Sequence, residues 1–585
     1  MNERSDSRSK QSFLHGALIL TISMAVVKIV GALFKIPLAN ILSGEGNGYF
    51  SSAYELYNPL AALATAGFPI AISRMVSENV AKGRFRDVRK IHRVSVPIFF
   101  ITGSIGVIAM ISSTFLYSKA ISAPEVKYAT FALAPTILFV CLMSIYRGYY
   151  EGLRNMTPTA ISEIIEALCK LFLGLSIAYG VIHYGMNEYH LNGTVFGKPY
   201  ANDELARSAT LPFAAAGAIL GISIGALVGF LYLLIRFKIK GDGITREELR
   251  NSPVSKSTTE TIKSLVRIAI PVGLGAIIMN FAGFIDTTLI QRRINDIMLT
   301  NPLELLNCYS GLIRDDIVER GNTHVFLYGC YSYALNITML ISGITQVFSI
   351  SALPAVTTAW AEGNSKKLKS NMEVVLRLTT LVTIPSGLGL VALSSPIMGL
   401  LYGNKGTQSE VQIASGVLVM LAVGTIFAST STPICSMLQA IGRVDLPVKL
   451  LTIGMIIKIA LNYILVGIPQ INIQGAGVGT LACYLFVTVV ALYYLCKETR
   501  MIPNFVSVFI KPLLAGITCA VTAYVSYGLL SHFVNLKFAT IIAVLISVIV
   551  YVISLFLFKA IRESDIRTLP KGDKIIRVLK KQKLL

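Results

Sequence analysis

Charged side chains inside long apolar stretches are the residues of this sequence whose chemistry calls for an explanation. Lys28 and Lys35 lie in the first such stretch, seven residues apart and therefore on one face of a helix. A charge inside an apolar span is costly and is rare without a partner or a water-filled cavity. We expect Lys28 to face a cavity. Lys35, near Pro37, either faces the same cavity or reaches the membrane surface. Such a cationic cavity suits an anionic substrate, for example a pyrophosphate headgroup.

The second apolar stretch carries the polar residues Glu55 and Asn58 beside Tyr54 and Tyr57. They are candidate cavity residues that contact substrate. The alternative, which the sequence leaves open, is a hydrogen-bonded network that only holds helices together.

A later stretch places Glu163, Glu166 and Lys170 at positions i, i+3 and i+7 of a helix. Glu166 and Lys170 form an i,i+4 pair in the favourable order, so a structural ion pair is expected there; a proton relay is the alternative. Lys170 is also a candidate cavity cation. Lys458, in another stretch, has no acidic neighbour at helical spacing, and therefore requires a cavity or a partner on another helix.

Asp286 lies in the sequence FAGFIDTTLIQRR, a few residues before Arg292 and Arg293. An acidic residue at that depth is a candidate ion site. The alternative is a salt bridge to one of the two arginines.

The elements that must position these residues are membrane helices. The chain has 585 residues, of which 54% are hydrophobic and only 14% charged, and its mean hydropathy is +0.66. A soluble core of this size would need a far more charged surface, so the composition predicts a polytopic membrane protein.

Apolar runs of about 20 residues, long enough to cross the hydrocarbon, occur at fourteen places. They cover residues 13–39, 49–76, 94–117, 124–147, 158–183, 211–237, 261–290, 324–355, 373–401, 411–438, 446–468, 475–497, 505–530 and 536–560. Lys and Arg are concentrated in the two termini and in the even-numbered loops. The excess of positive charge predicts that these parts are cytoplasmic.

A pattern near Ala71 (AISRMVSENVAKGRF) returns about 280 residues later, near Ser351 (SALPAVTTAWAEGNS), which indicates an internal duplication. Both copies start on the same side, so the repeat is parallel. We predict an all-α fold of fourteen transmembrane helices, in which two six-helix lobes are followed by two further helices. The predicted parts are an N-terminal lobe (1–240), a cytoplasmic linker (241–260), a C-terminal lobe (261–500), helices 13 and 14 (501–560) and a basic tail (561–585).

Several function classes find no support. The net charge of +21 lies in loops between apolar spans, which favours attraction to anionic membrane lipids rather than nucleic acid. The eight cysteines and six histidines show no metal-ligand spacing or disulfide framework, and no catalytic motif is present. We expect no enzyme and no cofactor. The acids of the loop 291–323, namely Glu304, Asp315, Asp316 and Glu319, could serve a glycosyltransferase, but are better interpreted as solvated.

Three segments carry a resemblance to a known family. These are KIVGALFKIPLANILSGEGNGYFSSAYELY with TAGFPIAISRMVSENVAKG, then YRGYYEGLRNMTPTAISEIIE, and finally LPKGDKIIRVLKKQKLL. Over essentially the whole chain, the sequence resembles the stage V sporulation protein B branch of the polysaccharide-exporter superfamily. That superfamily also contains lipid II flippases and multidrug/cation antiporters. The resemblance implies two lobes around a partly cationic cavity and ATP-independent translocation of undecaprenyl-pyrophosphate-linked sugars.

The resemblance carries some site residues with it. Lys28 stands where lipid II flippases have a cavity arginine. A sodium site of some flippases corresponds to Asp286, Asn462 and Thr480, but Val466 replaces its second acid. Two basic cavity positions of Gram-negative members correspond to Ala61 and Ala334.

The sequence thus predicts a flippase for a lipid-linked cell-wall or polysaccharide precursor, with lipid II the leading candidate and Na+ or H+ as a coupling ion. Its two lobes would alternate access to the cavity. The alternative is a cation-coupled multidrug exporter of the same fold. We expect a monomer that binds the lipid-linked substrate. The substrate-binding candidates are Lys28, Lys35, Glu55, Asn58, Lys170 and Lys458.

Overall fold

The chain folds almost entirely into helices, as its apolar stretches predict. A computed structural model describes residues 13–65, 67–404, 406–562 and 565. The α-helices in these residues are α1 (Phe13–Thr65), α2 (Phe68–Ala81), α3 (Phe85–Ala120), α4 (Val126–Gly152), α5 (Thr157–Asn192), α6 (Asp203–Lys240), α7 (Arg246–Asn251), α8 (Thr258–Thr300) and α9 (Pro302–Tyr309). They continue with α10 (Asp315–Glu319), α11 (Thr323–Ala361), α12 (Ser365–Ala392), α13 (Ser394–Tyr402), α14 (Gln408–Ala440), α15 (Asp445–Leu465), α16 (Gln474–Thr499), α17 (Lys511–Leu530) and α18 (Leu536–Leu557). A π-helical turn, Val506–Ile510, precedes α17. Strands β1 (Thr194–Val195) and β2 (Lys198–Pro199) pair antiparallel, with Thr194 opposite Pro199.

Twelve helices in the described part of the chain are long and apolar enough to cross a membrane. The first candidate span, Ile22–Ala81, takes in most of α1 together with α2, and α1 itself is broken where Ser43 adopts a φ of 56°. The 60 residues of this span exceed the roughly 20 that one crossing needs. The all-helical membrane architecture is confirmed, whereas the count of fourteen spans stays a prediction.

The chain divides into two compact units. The first comprises the residues up to Arg292 together with Asp315–Gly329, and the second comprises Arg293–Arg314 and the residues from Cys330 onward. The division into two six-helix lobes related by an internal repeat, with the linker 241–260 between them, stays a prediction.

In the first unit, a row of glycines on α6 lets that helix lie against α5. A Cβ added at Gly221 would lie 2.3 Å from the backbone nitrogen of Gly174, and one at Gly225 would lie 3.0 Å from the carbonyl oxygen of Glu166. Small residues let membrane helices approach closely and gain van der Waals contact. This contact fixes the height and rotation of the α5 face that carries Glu166 and Lys170.

The second unit uses the same device between α15 and α16. A Cβ at Gly479 would lie 2.0 Å from Oδ1 of Asn462, and one at Gly454 would lie 3.0 Å from Sγ of Cys483. Asn462 is fully buried at this contact.

The acidic loop before α11 contains a buried residue that the sequence placed in solvent. Asp315, Glu319 and Glu304 are exposed, as expected. Asp316 is only 7% exposed and accepts a hydrogen bond of 2.9 Å from the Ser208 hydroxyl, so the prediction of a solvated side chain is wrong there. Sequence pattern could not show that this short helix folds back onto α6.

Candidate functional site

The candidate site of the first unit lies where α1 and α5 face each other. Nζ of Lys170 is 4.9 Å from the ring centroid of Phe34 and 5.6 Å from that of Tyr54. Phe50 lies between these rings, 6.1 Å from Phe34 and 5.1 Å from Tyr54, centroid to centroid. An ammonium over aromatic faces is attracted by the ring quadrupoles, most strongly where water is excluded. Aromatic residues therefore hold Lys170 inside the unit.

The predicted contact between Glu166 and Lys170 is replaced by another pair. Arg147, on α4, donates from Nη2 to Oε2 of Glu166 at 3.1 Å and from Nε to the Ser162 hydroxyl at 2.9 Å. Glu166 still interacts with Lys170 electrostatically. Because the α5 face that carries Glu166 turns toward α4, the nearest cation comes from that helix. Among the described residues, Lys170 has no salt-bridge partner.

Two further predicted residues join this group. Lys35 interacts electrostatically with Glu55 and with Lys170, and both Lys35 and Glu55 are half-buried. A Cβ added at Gly283 would lie 3.3 Å from Oε2 of Glu55, so this carboxylate lies against α8, one helical turn before Asp286. The structure thus brings Lys35, Glu55 and Lys170 together, as a shared cavity requires. Their role in binding stays a prediction.

The other predicted residues of the first unit differ in how far they are buried. Lys28 is exposed, and Asn58 is half-buried. Asp286 is only 5% exposed. Ser23 is buried and donates 3.0 Å to Glu163, which ties α1 to α5 one turn before Lys28.

The second unit holds the remaining candidates. Lys458 is half-buried on α15, one turn before the buried Asn462. The hydroxyl of Thr480 donates 2.9 Å to the carbonyl of Ala476, and Val466 is fully buried. The side-chain oxygens of Asn462 and Thr480 could bind a hard cation such as sodium. The sodium hypothesis stays a prediction.

Sequence reasoning missed a buried polar network just after the break in α1 at Ser43. Arg320 donates to both oxygens of Glu45, at 2.9 and 2.7 Å, and Asn322 donates 2.8 Å to the same carboxylate. Tyr49 donates 3.0 Å to Glu45. Burial opposes the charge of Arg320, but the hydrogen bonds to Glu45 outweigh it and raise the pKa of the guanidinium. Glu45 stands in a Gly-rich stretch and its partner Arg320 is 275 positions away, so no local pattern indicated this pair.

Arg147 was also missed, although it stands in the quoted segment YRGYYEGLRN. It is the last residue of the predicted span 124–147. Its pairing with Glu166 depends on how α4 and α5 pack, which no local pattern encodes.

The basic residues after α2, besides predicting the orientation in the membrane, form contacts with the segment that follows α6. Arg89 holds Asp242, with its Nε 2.9 Å from Oδ2, and Arg86 donates 2.9 Å from its Nε to the carbonyl of Leu249. The backbone N–H of Lys256 donates 2.8 Å to Asp87. These bonds fasten the segment between α6 and α8 to the start of α3.

Comparison with known proteins places this geometry in context. The family model described as "Lipid II flippase MurJ" matches residues 326–549, and the family model described as "Polysaccharide biosynthesis protein" matches residues 13–187. Stage V sporulation protein B of Bacillus subtilis is 24% identical over 576 residues, which is 96% of this chain and 98% of that protein. The predicted resemblance is confirmed. Lipid II flippase MurJ of the same organism is 23% identical and covers 81% of each chain.

Solved structures show the same fold. The lipid II flippase MurJ in an inward closed conformation superimposes with a TM-score of 0.60 at 16% identity, over 94% of this chain and 99% of that one. An inward-facing multidrug resistance MATE family transporter of the MOP superfamily also gives 0.60, at 14% identity, over 83% and 98%. The chain has a MurJ/MATE-like fold and is a multi-pass membrane protein. Among these proteins, those whose names state an activity are a lipid II flippase and a multidrug transporter, which agrees with the prediction that the chain is not an enzyme.

Proposed function

We propose that the protein is a flippase that moves an undecaprenyl-pyrophosphate-linked sugar precursor, with lipid II the leading candidate, from the cytoplasmic to the outer leaflet of a bacterial inner membrane. The named relatives, a lipid II flippase and a sporulation protein, support this class of substrate. Both termini would be cytoplasmic, as the positive loops predict. The names of the relatives do not identify the side chains that bind the substrate.

The observation that carries the proposal is the environment of Lys170. Its ammonium is held by the rings of Phe34 and Tyr54, while Arg147 occupies the carboxylate of Glu166. The hydrogen-bond donors of Lys170 can therefore turn to a ligand without first breaking a salt bridge. Lys35 is the neighbouring cation, and the two ammoniums repel each other until an anion lies between them. A diphosphate would relieve that repulsion and accept charge-assisted hydrogen bonds from both.

The mechanism follows from that balance. Without substrate, Glu55 and Glu166 compensate the two lysines. When a diphosphate enters, the lysines gain a stronger partner. Substrate binding would then shift the equilibrium between inward-open and outward-open states by no more than the difference in substrate affinity between those states. The polyprenyl tail would stay in lipid, because burying it in the protein would gain nothing over the hydrocarbon.

The test is translocation of fluorescent lipid II in proteoliposomes. Replacing Lys170 with Gln removes a charge-assisted hydrogen bond, which is worth about 1.5–3 kcal/mol, so the rate should fall at least about tenfold. Lys170→Arg should retain part of the activity. Lys28→Ala tests the exposed cation of α1 in the same assay and should cost less.

The matched control is Lys449→Gln, which removes an exposed lysine of α15 that pairs with Asp445 at 2.9 Å. It should translocate like the wild type. A Lys170→Gln variant that is folded and fully active would remove Lys170 from the site. If the wild type fails to move lipid II, other polyprenyl-linked sugars are the next substrates to try.

One observation favours a second candidate, a cation-coupled multidrug exporter. Glu55 and Glu166 place carboxylates among membrane helices, where a proton or sodium ion could bind. Such an exporter would accumulate a cationic dye against its gradient when a proton or sodium gradient is applied. Glu55→Gln should abolish that dye transport. A protein that is only a flippase should transport no dye in this assay.

A further inference from the structure

A pocket of about 520 Å³ opens in the first unit at the end of α3 that is predicted to face the cytoplasm. Its floor is aromatic: the ring of His92 stacks on Phe237 at 4.4 Å and meets the edge of Tyr149 at 5.1 Å, centroid to centroid. One wall is polar, because the Tyr149 hydroxyl donates 3.1 Å to Asp242. This pocket is separate from the site around Lys170, and the proposed function does not use it.

Two arginines of α3 border the pocket and differ in what they contact. Arg89 is bound to both oxygens of Asp242, at 2.9 and 3.1 Å. Arg93, one turn further along the same face, is exposed, and among the described residues it has no ion-pair partner. The pocket therefore carries one neutralised cation and one cation whose donors are open to a ligand.

The same face of α3 becomes apolar beyond Arg93. Val96 and Pro97 line the pocket, and Phe100 and Ile101 follow with 54% and 58% of their surface exposed. A cation above a pocket with an aromatic floor, followed by an exposed apolar face, matches the order of groups in a phospholipid: phosphate, glycerol and acyl chains. Basic groups at this level of a membrane protein attract anionic lipids.

We propose that this pocket binds one anionic phospholipid of the cytoplasmic leaflet. Arg93 contacts the phosphate, the rings of His92, Tyr149 and Phe237 contact the glycerol and the first acyl carbons, and the chains lie along Pro97 and Ile101. A zwitterionic lipid fits the pocket less well because its ammonium group is repelled by Arg93. The bound lipid joins α3, α4 and α6 at their predicted cytoplasmic ends.

Native mass spectrometry of the full-length protein in detergent tests the proposal, with phosphatidylglycerol, phosphatidylcholine and undecaprenyl pyrophosphate as probes. The wild type should retain one phosphatidylglycerol in preference to phosphatidylcholine. Arg93→Gln should weaken phosphatidylglycerol binding about fivefold and leave phosphatidylcholine unchanged. Val96→Trp fills the pocket and should weaken both lipids.

Arg250→Gln is the matched control, since Arg250 is an exposed arginine of α7 outside the pocket, and it should bind like the wild type. All variants should melt within a degree or so of the wild type, which separates lost binding from lost folding. Equal phosphatidylglycerol retention in Arg93→Gln, or a loss as large in Arg250→Gln, would reduce the effect to general surface attraction and overturn the site. Displacement of phosphatidylglycerol by equimolar undecaprenyl pyrophosphate, dependent on Arg93, would also overturn it and assign the pocket to the transported lipid.

Discussion

A buried ion pair in the second unit allows a stability change to be worked out from the structure. Arg377 of α12 and Asp565 are each only 1% exposed, and two nitrogens of Arg377 donate to the two carboxylate oxygens, both at 2.7 Å. A third donor, Nη1, reaches the Ser507 hydroxyl at 3.1 Å. Asp565→Ala leaves the guanidinium buried with Ser507 alone. Removing one partner of a buried pair costs about 3–5 kcal/mol, and since Ser507 remains we expect the lower end, about 3 kcal/mol.

The assay is thermal unfolding of the full-length protein in detergent, followed by a thiol-reactive dye. Cys435 and Cys519 are buried and become reactive when the second unit unfolds. A loss of about 3 kcal/mol lowers the melting temperature by about 5 °C for a unit of this size. The double variant Arg377→Met with Asp565→Ala removes both charges and should melt close to the wild type, because a buried pair replaced by apolar groups is often neutral.

The control is Arg562→Gln. Arg562 is 45% exposed and lies 3.6 Å from Glu373, so its loss should cost less than about 1 kcal/mol. The reasoning fails if Asp565→Ala melts with the wild type. It also fails if the double variant is as unstable as the single one, since the cost would then not come from an uncompensated charge.

Two further predictions concern the first unit. Gly221→Ala places a Cβ 2.3 Å from the nitrogen of Gly174, so α5 and α6 must separate. The melting temperature should fall by an amount that corresponds to about 1–3 kcal/mol. Gly180→Ala, where the new Cβ meets open space, is the control, and equal melting temperatures of the two variants would contradict the close packing of α5 and α6. Burial would raise the pKa of Asp242, but hydrogen bonds from Arg89 outweigh this and lower it, so the carboxylate stabilises the fold above about pH 4 and loses that contribution as the pH falls through its lower folded value. Asp242→Asn should therefore melt lower than the wild type at pH 7, and the difference should shrink as the pH falls below about 4. A difference that stays constant from pH 7 into this acidic range would show that the charge is not responsible.

The helices were readable from the sequence because each needs only local information. Predicted spans 446–468 and 536–560 correspond to α15 and α18 within a few residues. Span 373–401 differs in kind, because the structure has α12 and then a separate α13 there. A continuous apolar run marks a membrane helix but says nothing about a break inside it.

The site was partly readable for the same reason. Lys35, Glu55 and Lys170 stand out because a charge in an apolar span is rare, and the structure brings them together. Their partners could not be predicted. Arg147 on α4 pairs with Glu166 on α5, and Arg320 pairs with Glu45 although 275 positions separate these two residues.

By itself, the sequence determined the class of protein, the positions of the apolar helices and the resemblance to exporters of lipid-linked sugars, because composition, periodicity and charge placement act locally. Only the tertiary structure decided which charged side chains form ion pairs with each other. It paired Arg377 with Asp565, buried Asp316, and opened the pocket beneath Arg93. Ion pairs between helices depend on the rotation and height of each helix, and those are set by close contacts such as Gly221 against Gly174 that no single stretch of sequence contains.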